Sequence, residues 1–109
     1  MNILIDIKSN MKRISIVVND NKKEFKINGK HVDVDIDDFI FKICDITMQW
    51  PEKLINKSIV DGNRVKIIIK DKSFAKEMKF INKFPNNFSE FQTLVNEVLD
   101  VEKQLSRNI

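Results

Sequence analysis

One cysteine, one histidine, two glycines, two prolines and no tyrosine limit what this 109-residue chain can be. A single thiol, Cys44, excludes an internal disulfide framework and fits a reducing compartment. One histidine and one cysteine, His31 and Cys44, cannot make a zinc site without carboxylates supplied by the fold. They could in principle form a nucleophile pair, but Cys44 lies between apolar neighbours in a helical pattern, where a thiol behaves as a small hydrophobe. Gly29 and Gly62 stand alone, each beside an Asn or Asp that suits a tight turn, so no glycine-rich phosphate loop exists. The longest aliphatic run, Ile67-Ile68-Ile69, is far too short to span a bilayer. Asp6 interrupts the apolar residues of the N-terminus, which therefore lacks the core of a signal peptide. A cytoplasmic protein with no membrane partner is expected.

What is present is globular. With 42% hydrophobic and 32% charged residues, the chain has the composition of a folded domain, and residues 1-109 are expected to form one, with no tail beyond about 106-109. Isoleucine, lysine and asparagine dominate and Ala75 is the single alanine. Such usage is that of AT-rich coding DNA and points to a low-GC bacterium, its phage or a mobile element.

Alternation of apolar and polar residues predicts strands with Ile3, Ile5 and Ile7 inward, then Ile14, Ile16 and Val18, then Phe25 and Ile27. A helix is expected from about Ile36 to Gln49, capped by Asp35 and ended by Trp50-Pro51. Ser58-Ile59-Val60, Asp61-Gly62-Asn63 and Arg64 to Lys70 read as a hairpin, and Glu77 to Lys83 as a further strand. A closing helix follows, with Asn87 as cap and Glu90 in the capping-box position. The fold class is α+β: a mainly antiparallel sheet of about five or six strands, two helices on one face, order roughly βββαβββα. The two helix starts agree in phase, Asp35 with Asn87 and Phe39 with Phe91. Either duplication or the shared demands of capping and periodicity would produce this likeness.

The acidic run Asp33, Asp35, Asp37, Asp38 invites a metal, but a calcium loop begun at Asp33 would need glycine at Asp38 and glutamate at Cys44. No catalytic residue, metal ligand, cofactor or small-molecule substrate is indicated. Two surfaces remain. Leu4, Val17, Ile68 and Ile81 fall on outward positions of their strands, and Phe41, Cys44 and Met48 lie off the first helix's main apolar stripe. Phe41, Met48, Ile68 and Ile81 are therefore the candidate partner surface. Arg64, Lys66 and Lys70, with Lys79 and Lys83, are the candidate nucleic-acid face, although no aromatic residues are interleaved to stack bases. A non-enzymatic protein-binding or homo-oligomeric module, of the inhibitor, immunity or accessory type, is the leading expectation. A nucleic-acid binder using the lysine-rich sheet face is the alternative.

Overall fold

The computed structural model describes residues 1–9, 12–57 and 62–107, with side-chain surroundings as far as Lys103. Among them, strands β1 (Asn2–Lys8), β2 (Arg13–Asn19), β3 (Glu24–Ile27) and β4 (Lys30–His31) precede helix α1 (Ile36–Thr47). Then follow β5 (Lys53–Ile55), β6 (Arg64–Asp71), β7 (Phe74–Ile81) and helix α2 (Phe88–Arg107). The α+β class holds, with seven strands in place of five or six. Their spatial order is β4-β3-β2-β1-β6-β7-β5. All neighbours pair antiparallel except β5, which runs parallel to β7 along one edge.

In β1, β2, β3, β6 and β7 the alternation turns every second residue toward the core. Ile3, Ile5, Ile16, Val18, Phe25 and Ile27 are buried, as are Val65, Ile67, Ile69, Met78 and Phe80. Both helices cross this face. α1 begins over β3, where Phe39 meets Phe25 edge-on with ring centroids 4.9 Å apart. It ends over β7, where the Lys76 ammonium donates to the carbonyls of Thr47 (3.3 Å) and Trp50 (3.0 Å). Lys76 therefore serves as a cationic cap on the helix's negative end. The strand expected from Glu77 in fact begins at Phe74, which brings Lys76 into it.

The caps differ in mechanism. Asp35 accepts from the Asp38 N–H at 3.0 Å, an ordinary N-cap. Asn87 does something else. Its Oδ1 accepts from the Trp50 indole at 2.5 Å, and its Nδ2 donates to the Ile46 carbonyl at 3.1 Å. That amide links the end of α1 to the start of α2 instead of capping α2. Trp50 in turn sits among Phe80, Phe88 and Phe91 with centroids 5.4–6.0 Å away.

Two turns rest on local stereochemistry. Asn28 (φ 51°) and Gly29 (φ 82°) both adopt the left-handed region, giving the two-residue loop between β3 and β4. At Gly62 the need is space: a Cβ would run into the Asn82 amide, whose Oδ1 accepts from the Asn63 N–H at 2.9 Å. The expected strand at 58–60, and the Asp61 half of its turn, lie outside the described residues. β6 does not pair with a preceding hairpin strand among those described, because β1 and β7 occupy its two edges. The sequence expectation also missed β5, whose ladder is continued by Lys79 N–H to Glu52 (2.8 Å) and Asn56 N–H to Ile81 (2.9 Å).

Candidate functional site

With both helices on one face, the other face of the sheet is left uncovered by any described element. Its side chains follow from strand parity. Cross-strand pairing sets Val17, Leu4 and Ile68 side by side as one row across β2, β1 and β6. Val17 is 43% exposed, while Leu4 and Ile68 are half-buried by their neighbours. They floor a shallow hollow of about 320 Å³, rimmed by Asn2, Asn19 and Lys70. Ile81 lies on the same face beside Ile55.

The next rows are charged. Lys8, Arg13, Arg64, Lys66 and Lys79 surround Asp6 in a second hollow of about 260 Å³. Arg13 contacts Asp6 at 3.4 Å and Lys66 contacts Glu77 at 3.4 Å, both as exposed pairs worth little. Lys8, Arg64 and Lys79 form no ion pair among the described residues. Counting Lys26, Lys53 and Lys70, the open face carries eight cations against three carboxylates (Asp6, Glu24, Glu77). That excess of five exceeds the +3 of the whole chain, so the remainder is net acidic.

The sequence-predicted residues divide accordingly. Arg64, Lys66, Lys70 and Lys79 share the open face, with Lys70 apart at the apolar hollow. Lys83 does not join them. It follows Asn82, whose positive φ of 55° breaks the strand, and it lines a crevice with Met48, Trp50 and Phe84 on the helix side. Lys8 and Arg13 were missed, although the same alternation that turns Ile7 and Ile14 inward turns them outward.

The candidate partner surface also splits. Ile68 and Ile81 are on the open sheet face, whereas Phe41 (72% exposed) and Met48 (69%) project from α1 in the opposite layer. They are two half-surfaces, not one. Cys44, between them in sequence, turns inward far enough for its Sγ to lie 4.0 Å from Met1 Sδ. Burial pushes its thiol above the ordinary value. Alkylation of Cys44 by iodoacetamide at neutral pH should therefore run slower than that of free cysteine and reach the free rate on unfolding. Equal rates in the native protein would contradict the packing.

His31 is exposed on edge strand β4 and does not meet Cys44. The acidic run is used locally: Asp35 caps α1, Asp37 lies 3.4 Å from Lys23, and Asp38 pairs with Lys42 at 2.9 Å. Among the described residues no three His, Cys, Asp or Glu side chains converge as a metal site, and no helix is long and apolar enough to cross a membrane. A further groove of about 300 Å³ beside α2 is lined by Ile7, Ile14, Phe84, Phe88 and Leu99, with only the amides of Asn63, Gln92 and Asn96 to give it polarity. No protein-family model, curated protein or solved structure matches the chain significantly.

Proposed function

We propose that the protein is a non-enzymatic binding module, of the inhibitor, immunity or accessory type, that docks an acidic protein surface on the open face of its sheet. The observation that carries this reading is the combination on one face of an apolar row, Val17-Leu4-Ile68, with an excess of five positive charges across the same face. The apolar row supplies area to bury, and the cations select a partner of opposite sign and steer its approach. The absence of aromatic side chains from the face favours protein over a single-stranded nucleic acid, which needs rings to stack its bases.

Nucleic acid is the second reading, favoured by the five cations grouped around one hollow. One titration separates them. Backbone amide shifts of the labelled protein are followed against a synthetic peptide alternating leucine with glutamate, and separately against a thymidine oligonucleotide. The peptide should perturb β1, β2 and β6, and Ile68→Glu should abolish its binding. Oligonucleotide binding that survives Ile68→Glu in kind, and is lost on reversing Arg64, Lys66 and Lys79 to Glu, would replace the protein reading with the second one.

A further inference from the structure

We infer that the acidic surface fitting the open sheet face is the α1 side of a second copy of the same chain, so that molecules associate head to tail. This rests on the reading of the sheet face as a docking surface and names its partner. α1 and α2 present six exposed carboxylates against two exposed lysines among residues whose burial is described, an excess of four negative charges. The opposite layer has its excess of five positive charges. The protein is thus a plate, 43 × 36 Å across and 21 Å thick, with its charge separated between the two broad sides.

The apolar features match in scale as well as setting. Phe41 and Met48 are seven residues apart, two helical turns, so they lie on one line about 10 Å long. Val17, Leu4 and Ile68 span two inter-strand spacings, again about 10 Å. Asp38, paired with Lys42, and Asp45 lie on the same side of α1 as the first pair, and Lys26 and Lys70 border the second row, with Glu77 at its β7 end. The broad sides exceed the roughly 800 Å² per partner that a specific interface uses. A symmetric dimer through either side would set like charges face to face, which opposes it. Because the matching surfaces lie on opposite sides, each contact leaves one of each kind free at the ends, and association continues as a stack or closes as a ring.

Sedimentation of the intact chain over a range of concentration tests this. The weight-average mass should climb past that of a dimer as concentration rises, and fall when salt screens the contact. Two variants, one on each side of the molecule, then supply the decisive arm. Phe41→Ser with Met48→Ser removes the helix-side apolar pair, and Ile68→Glu adds a like charge for incoming carboxylates. Each alone should stay monomeric, and an equimolar mixture should form a one-to-one complex and nothing larger, since one intact surface of each kind remains. Circular dichroism of each variant confirms that it folds. A wild type that stays monomeric at low salt, or a mixture that fails to pair, overturns the head-to-tail contact. If the leucine–glutamate peptide still binds in that case, the sheet face keeps its role with another partner. If the peptide also fails, the docking reading falls too.

Discussion

Replacing Phe80 with alanine should destabilise the protein by about 3–5 kcal/mol, the range for emptying an aromatic site in a packed core. Phe80 is fully buried on β7. Val65 of β6 lies opposite it on one side and Leu54 of β5 on the other. Its ring meets Trp50 edge-on at 5.4 Å, so the void would open directly beneath the aromatic cluster that joins the two helices. The site cannot collapse easily, because Trp50 is held from above by the Asn87 amide. A domain of this size has about 5–15 kcal/mol in all, so roughly a fifth or more of its stability is at stake. Urea unfolding followed by the fluorescence of Trp50, the single tryptophan, would give the midpoint shift at unchanged slope. Phe41→Ala, on the exposed side of α1 and measured at a concentration low enough to keep the chain monomeric, is the control and should stay within about 0.5 kcal/mol. A Phe80→Ala loss below about 1 kcal/mol would mean that the ring is not packed between strands and helices as described.

Asn87→Ala should come next in size, at about 2–3 kcal/mol. The truncation removes no large apolar volume. It leaves the Trp50 indole N–H, in a residue only 5% exposed, and the Ile46 carbonyl without their partners, and unmade bonds to buried groups cost about 1–3 kcal/mol each. Asn87→Asp distinguishes this bridging role from helix capping. Aspartate would cap α2 at least as well, being acidic at the helix's positive end, and would still accept from the indole. It cannot donate to Ile46. An intermediate loss for Asn87→Asp, with a shift in Trp50 emission, fits the bridge. If aspartate is neutral or stabilising, the amide acts as a cap alone.

That double use of Asn87 shows where sequence reasoning stops. Its position three residues before Glu90 marks a helix start, and the helix does start there, but nothing local reveals that Trp50, 37 residues earlier, claims the side-chain oxygen. What local periodicity controls was legible: the inward residues of β1, β2, β3 and β6, the Asp35 cap and the Asn28-Gly29 turn all follow from alternation, capping or backbone sterics. β5 was not, since three residues are too few to show a period and its parallel pairing with β7 is non-local. Lys76 was legible in principle, standing two and four residues before Met78 and Phe80 on the same side of β7. Starting the strand at Glu77 concealed it. The open face was half legible. Each strand displayed its outward residues, but joining Lys8 and Arg13 to Arg64, Lys66 and Lys79 required knowing that β1 lies between β2 and β6.

The same adjacency bears on how the chain is made. β1 pairs along one edge with β2 within its first twenty residues, yet its other edge waits for β6, ending at Asp71. During synthesis at roughly 5–20 residues per second, that edge stands open for several seconds, with Ile3, Ile5 and Ile7 on its core side and no helix-covered sheet to receive them. An open strand edge is a template for pairing with another nascent chain. The interval before β6 emerges, more than any weakness of the finished domain, is when the polypeptide is most exposed to wrong pairing. Slow codons read after β2 has left the ribosome and before β6 has done so should lower the soluble yield, whereas slow codons ahead of β2 should not.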